Sequence, residues 1–195
     1  YLNVRNKIKN NYLKSKINDE NMSFVYGLSK KFNIKNNLLI KSLDSFKGLE
    51  HRHEIFYQNN NIKLINDSKA TSFEASKYAL MSNENIYWIV GGIPKKNDFF
   101  DLKKVKKKII RAYVIGKKTE FFIKQIKKKI DYVVSNNLED AINNIFNDIK
   151  FSSFNKNTVL LSPAAASYDQ FKNFEDRGFN FKQLCNKNIK KLTYV

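Results

Sequence analysis

The sequence predicts an α/β fold, a Rossmann-like, doubly wound and mostly parallel sheet preceded by a short helical segment, and three observations predict it. Beyond residue 66, short apolar runs alternate with stretches of helical period, and a series of that kind requires mostly parallel strands. A hairpin pattern at residues 53–66 precedes the alternation, and the first 48 residues show helices with no partner sheet. No Gly-x-Gly-x-x-Gly loop follows any strand, so dinucleotide binding has no support.

Taken in order, residues 1–16 alternate loosely (Leu2, Val4; Tyr12, Leu13) around Asn10-Asn11, which suggests two short strands and a turn. The chain opens at Tyr1 in what reads as the middle of a β-ribbon, as a fragment would. From Asp19 the period changes: Met22, Val25, Leu28 and Phe32 fall on one helical face. A second short helix, 37–46, is expected to end at Gly48 as a C-cap glycine would. A boundary near residues 48–52 divides the chain into 1–48 and 49–195. The hairpin pairs 53–58 with 62–66 across Asn59-Asn60-Asn61. Then follow helix 73–81, strand 86–90, helix 99–109, strand 112–115, helix 120–130, strand 132–134, helix 138–149, strand 158–161 and a last helix from about 174 to 191. Leu138, Ala141, Ile142, Ile145, Phe146 and Ile149 give the clearest helical period.

Composition sets outer limits. The 195 residues, 42% hydrophobic and 14% aromatic, suffice for one domain with a core and some remainder. No run approaches the roughly 18 apolar residues of a membrane span, and no signal peptide opens the chain, so a cytoplasmic location is expected. One cysteine, Cys185, excludes an internal disulfide and a cysteine-rich metal site, and reads as a small core residue. The net charge of +18 would ordinarily suggest nucleic acid. The excess is mostly Lys and arrives with many Asn and Ile, which share A/T-rich codons. The runs at 103–108 and 127–129 are interleaved with apolar positions at helical spacing, as solvated helix faces are.

Functional side chains gather in three loops after strands: Asp67–Thr71, Gly91–Lys96 and Ser162–Ser167. By the switch-point rule such loops can converge on one crevice. The loops at 116–118 and 135–137 look like ordinary turns. Asp67 could accept hydrogen bonds from a ribose while Lys69 neutralises a phosphate, or the two could form an ion pair beside a Thr71 N-cap. Gly91-Gly92-Ile93-Pro94-Lys95-Lys96 either presents an ammonium from a freed backbone or is a tight turn with surface lysines. In Ser162-Pro163-Ala164-Ala165-Ala166-Ser167, small residues let a ligand approach the backbone, and Ser167 offers a hydroxyl beside the free N–H groups of the next helix's first turn. An anion suits that place. His51 and His53 are too few for a metal site, whereas Arg52 suits a phosphate, since a planar guanidinium binds its oxygens in pairs.

Three motifs together resemble the Mur ligase family, in the branch that adds D-glutamate to UDP-N-acetylmuramoyl-L-alanine. Leu161-Ser162-Pro163-Ala164-Ala165-Ala166-Ser167, followed by Asp169-Gln170-Phe171, Asn173-Phe174 and Arg177-Gly178, is similar to the family's C-terminal signature. Gly48-Leu49-Glu50-His51-Arg52 and Asn66-Asp67-Ser68-Lys69-Ala70-Thr71 precede it in the family's order. The resemblance implies that residues 1–48 close the central ATPase domain, that residues 49–195 form the amino-acid-binding domain, and that the phosphate loop lies upstream. It implies ATP contacts from Asn18, Asn21, His51, Arg52, Asp67 and Lys69, and D-glutamate contacts from Thr71, Lys95, Ser167, Asn173 and Phe174. No catalytic residue or metal ligand falls on this chain. Ser72 stands where the family usually has Asn, Ile93-Pro94 replace Asp-Gly, and Ile17 replaces the His of an adenine-contacting His-Asn-x-x-Asn.

The implied activity is ATP-dependent amide formation in cytoplasmic peptidoglycan synthesis, with Mg2+ neutralising phosphate charge. ATP phosphorylates the L-alanyl carboxylate, the D-glutamate amine attacks, and phosphate leaves. Two other readings compete: another Mur ligase or folylpolyglutamate synthetase, and a basic Rossmann-like nucleic-acid-binding module. The run Asp169–Gly178 argues against the first, and polyanion binding that vanished at moderate salt without sequence preference would argue against the second.

Overall fold

The computed structural model describes residues 1–10, 12–14 and 18–192, in two compact units, Tyr1–Gly48 and Leu49–Val195. The first unit contains α1 (Leu2–Arg5), α2 (Asp19–Lys31) and α3 (Asn36–Ser45). The two strands expected over 1–16 do not form among its described residues; 2–5 make a helical turn. Val4 and Ile8, four apart, are buried with Leu13, Met22 and Leu39, while Leu2 is exposed, so the period that governs this segment is helical and not two. Asn10 ties the segment to the end of α3, donating to the carbonyls of Leu43 and Phe46 at 2.9 and 2.6 Å. Asn11, the second residue of the expected turn, and Ile17 lie outside the described residues.

The apolar face expected of α2 is only partly covered. Met22 is buried, but Leu28 and Phe32 are 54% and 70% exposed. Gly48 is not the C-cap of α3: Phe46 holds that place in extended conformation. Gly48 follows with φ +87, against the Tyr12 ring.

The second unit is a six-stranded sheet in the order β1-β2-β6-β3-β4-β5. Its strands are β1 (Glu54–Gln58), β2 (Ile62–Asn66), β3 (Ile86–Gly91), β4 (Ile109–Ile115), β5 (Tyr132–Asn136) and β6 (Asn157–Leu161). Only β1 runs antiparallel, paired with β2; the other pairings are parallel. Helices α4 (Phe73–Met81) and α5 (Thr119–Ile126) cover one face, and α6 (Leu138–Lys150) and α7 (Phe174–Leu192) the other. Side chains alternate accordingly: Trp88 and Val90 pack toward α4 and α5, Tyr87 and Ile89 toward α6 and α7. Both faces of β3 are therefore buried, as a central parallel strand requires.

The helix expected over 99–109 is absent. Phe100, Leu102 and Val105 are buried in the α4–α5 face, a short 3₁₀ turn spans Lys106–Lys108, and Ile109 already starts β4. Five lysines within residues 103–108 would stack like charges three and four apart on a helix. Anchoring three apolar side chains from an irregular segment avoids that repulsion. Helix α5 likewise ends at Ile126 rather than 130, and Lys128 turns left-handed with φ 64. Among the described residues no helix is long and apolar enough to cross a membrane.

Candidate amino-acid and nucleotide site

Because β2, β6 and β3 are neighbours, their following loops leave the sheet side by side. The amide of Asp67 donates to Leu161 O at 2.8 Å and that of Gly91 to Pro163 O at 2.9 Å, while Ile93 and Ala166 exchange two bonds at 2.8 and 2.9 Å. Gly92 has φ +129, and a Cβ there would stand 2.3 Å from Ala166 O. A side chain at that position would force the two loops apart.

The loops after β4 and β5, which read as ordinary turns, take part as well. Asp169 Oδ2 accepts from Lys117 N at 2.9 Å, and Gln170 Nε2 donates to Asn136 O at 2.8 Å. Segment 162–177 is thus bonded to the ends of all the parallel strands of the sheet. The sequence contained these residues as motif letters, but nothing in their spacing assigned them this bracing role.

Asp67 is buried. Its Oδ1 accepts from His53 N at 3.0 Å and its Oδ2 from Ser162 Oγ at 2.7 Å. Burial pushes its carboxyl up to about 6, against the pull of those two bonds and of the Arg52 charge. No Asp67–Lys69 ion pair forms; the Lys69 ammonium lies 5.3 Å from the centre of the Phe174 ring. Nor is Thr71 the cap of α4. Ser72 takes that place, accepting from Ala75 N at 3.4 Å, so the departure from the family's Asn keeps a capping side chain.

The chain enters β1 through two left-handed histidines, His51 (φ 60) and His53 (φ 48). His51 is buried, its Nδ1 2.8 Å from Asn66 Nδ2, and its ring stands edge-on to Phe174. A Cβ on Gly178 would lie 2.2 Å from His51 Nδ1; the glycine lets α7 approach this ring. His53 packs edge-on against Tyr78, its Nδ1 is buried without a partner among the described residues, and burial lowers its pKa to about 4. Arg52, between them, is exposed. Its positive charge acts on the nearby Asp67 carboxyl.

At the start of α7, Asn173 Oδ1 accepts from Asp176 N at 2.7 Å and so caps the helix. Ser167 is 2% exposed, and its carbonyl accepts from the amides of Gln170 and Phe171. Behind them lies a residue to which sequence reasoning gave no role, Arg177, 1% exposed. Its Nε donates to Ser68 Oγ at 2.9 Å and one Nη to the carbonyls of Ser68 and Ala165 at 2.8 and 3.0 Å. Ser68 Oγ in turn donates to Phe174 O at 2.8 Å.

Lys95 and Lys96 are both exposed on the loop after β3. That loop is pinned by Asp98, whose Oδ2 accepts from Phe73 N at 2.8 Å. Thr71 is half-buried at the foot of α4. Asn18 and Asn21 belong to the first unit, where Asn18 is buried with its Nδ2 donating to Tyr12 O at 2.8 Å, and Asn21 is exposed. Among the described residues no group of three His, Cys, Asp or Glu is gathered to hold a metal. A separate cavity of about 650 Å³, lined by Arg111, Lys128 and Tyr132, opens at the opposite, amino-terminal ends of β4 and β5.

No family model matches the chain. The fold is shared with a solved ligase: UDP-N-acetylmuramate-alanine ligase from Thermotoga maritima superposes with a TM-score of 0.50 at 17% identity, covering 82% of this chain and 35% of that one. Curated sequences go further than the fold. By them and by its three motifs, the chain is similar to the D-glutamate-adding members of the Mur ligase family over most of its length. The relatives are the D-glutamate-adding members: UDP-N-acetylmuramoylalanine–D-glutamate ligase of Wolbachia sp. subsp. Brugia malayi is 42% identical over 170 residues, 87% of this chain and 34% of the relative. That of Rickettsia felis is 35% identical over 184 residues, 94% of this chain and 41% of the relative. The chain spans about a third of the length of the curated relatives it matches.

Proposed function

We propose that this chain is the amino-acid-binding part, with the end of the central domain, of a cytoplasmic UDP-N-acetylmuramoylalanine–D-glutamate ligase. In that enzyme ATP phosphorylates the L-alanyl carboxylate, the D-glutamate amine attacks the acyl phosphate, and phosphate leaves. Positioning and charge stabilisation dominate such chemistry. Lys95 and Thr71 hold the α-carboxylate of D-glutamate; Ser167 and the Phe174 N–H, with Asn173 capping the same helix, hold the side-chain carboxylate. Arg52 and Lys69 serve the nucleotide phosphates and Asp67 its ribose, while His51 sets the turn that presents Arg52. Asn18 and Asn21 serve the adenine. Mg2+ would accompany the ATP in the complete ligase and neutralise phosphate charge there.

The observation that supports this reading most is the bonding of the loops after β2, β6 and β3 into one rim, because each carries one of the groups the two carboxylates need. The test is made in full-length ligase. Lys95→Ala removes a countercharge from a closing site, and a loss of about 2–5 kcal/mol should appear as a sharply raised D-glutamate requirement with ATP use nearly unchanged. Lys96→Ala should be silent. A critical Lys96 with a silent Lys95 would mean the loop register is wrong, and silence of both would remove D-glutamate from this rim.

A further inference from the structure

Arg177 is a buried cation without a contact countercharge. All three of its hydrogen-bond acceptors are neutral: the Ser68 hydroxyl and the carbonyls of Ser68 and Ala165. Among the described residues its Nη1 is buried with no partner. Among the described residues no carboxylate stands within ion-pair distance. Asp169 acts on it only through space, and the Asp169 Oδ2 is already engaged by Lys117 N. Burial without an ion pair is costly for a guanidinium, so the resting protein holds a positive charge with no contact countercharge at one defined place.

That place is bracketed by the parts of the rim assigned to a carboxylate. One Nη bonds Ala165, two residues before Ser167, and the Ser68 hydroxyl that receives Nε bonds the carbonyl of Phe174. The first turn of a long helix, α7, contributes its own partial positive charge there. Nη1 is sealed from water, so a ligand in the rim would feel the charge without touching it. In a low-dielectric setting a fixed charge retains much of its strength over such a gap.

We propose that Arg177 is a positioning residue whose buried charge, free of any contact countercharge among the described residues, pre-sets the start of α7 to receive the side-chain carboxylate of D-glutamate, beyond its part in fastening the loops. This rests on the D-glutamate reading of the rim.

The test separates charge from fastening and uses full-length ligase. Arg177→Lys keeps the charge but cannot make the forked bonds to Ser68 and Ala165; Arg177→Gln keeps a donor but loses the charge. If the charge is what matters, Arg177→Gln raises the KM for D-glutamate by roughly tenfold or more, leaves the KM for ATP near wild type, and Arg177→Lys stays within about threefold of wild type. A fastener alone would make the two variants equally poor, with D-glutamate and ATP affected together, and that result would overturn the proposal. Should both variants fail to fold, Ser68→Ala decides, because it removes the acceptor of Nε while the charge stays in place. The D-glutamate KM should then stay within about threefold of wild type, and a rise of roughly tenfold or more with the KM for ATP rising alongside overturns the inference. Lys95→Ala is run alongside: if it too leaves the D-glutamate KM unchanged, the reading of the rim fails, whereas a damaged Lys95→Ala beside a normal Arg177→Gln defeats the Arg177 inference alone.

Discussion

Asp67 and His53 touch through a backbone bond, yet their burial acts in opposite senses on stability. Asp67, raised to about 6, favours its protonated form in the folded protein. Its contribution is full below about pH 4, the unfolded value, and is lost as pH rises through about 6. His53, lowered to about 4, favours its neutral form; its contribution is full above about pH 6.5 and is lost as pH falls through about 4. Each is worth roughly 3 kcal/mol at full effect, so the two nearly cancel between pH 4 and 6.5. Asp67→Asn should unmask the histidine and lose roughly 3 kcal/mol relative to wild type as pH falls from 6.5 to 4. His53→Phe, which keeps an aromatic ring against Tyr78, should gain by a similar amount over the same interval. Urea titrations at pH 4, 5 and 6.5 measure this, and parallel pH profiles in all three proteins would show that the pair does not titrate as described. None of this was legible in the sequence, where His51-Arg52-His53 showed only three basic side chains. The left-handed turns that bury His51, half-bury His53 and expose Arg52 come with tertiary packing against Phe174 and Tyr78.

At the scale of elements, what could be read depended on whether local pattern and tertiary demand agreed. Helices α4 and α6 and strands β2, β3 and β6 were legible because the apolar spacing of each helix faces a single core layer and that of each strand alternates between the two layers. Segment 99–108 was misread because its apolar residues fit a helix while its lysines oppose one, and packing resolved the conflict toward irregular chain. The three loops of the rim were legible from their place after strands; the bracing by Asp169 and Gln170 was not, since it spans 34 or more residues. Gly178 marks a similar limit. Inside a helix, Gly→Ala ordinarily stabilises by about 1 kcal/mol, and the sequence offers no reason against it at α7. The His51 ring does: an added Cβ would meet Nδ1 at 2.2 Å and Asn66 Oδ1 at 3.0 Å. Gly178→Ala should therefore destabilise by about 1–3 kcal/mol. The double variant with His51→Ala should recover part of that loss relative to His51→Ala alone. A more stable Gly178→Ala would mean that α7 does not approach His51 so closely.

For the whole molecule, the two units differ in how much each can sustain itself. Leu49–Val195 buries two large apolar layers on opposite faces of a six-stranded sheet, with Trp88, Tyr113, Phe122 and Phe181 among the fully buried side chains. Among its described residues Tyr1–Gly48 gathers five buried apolar residues, Val4, Ile8, Leu13, Met22 and Leu39, and leaves Phe24, Leu28, Phe32 and Leu38 more than half exposed. A unit of this size rarely stabilises itself on such a core, and an apolar helix face left in water is what a missing packing layer leaves behind. The 49–195 fragment should accordingly fold alone, with a urea midpoint close to that of the main transition of the 195-residue chain. Amides of β3, β4 and β6 should exchange slowest in both proteins, whereas those of α2 and α3 should exchange at low free energy in the longer chain. On the proposed function, supplying the part of the ligase that would precede this chain should slow α2 and α3 selectively, because a layer covering Leu28 and Phe32 would then be present. If 49–195 failed to fold, or α2 and α3 were protected as strongly as β3 in the chain as it stands, the first unit would be an integral part of the core rather than the exposed edge of another domain.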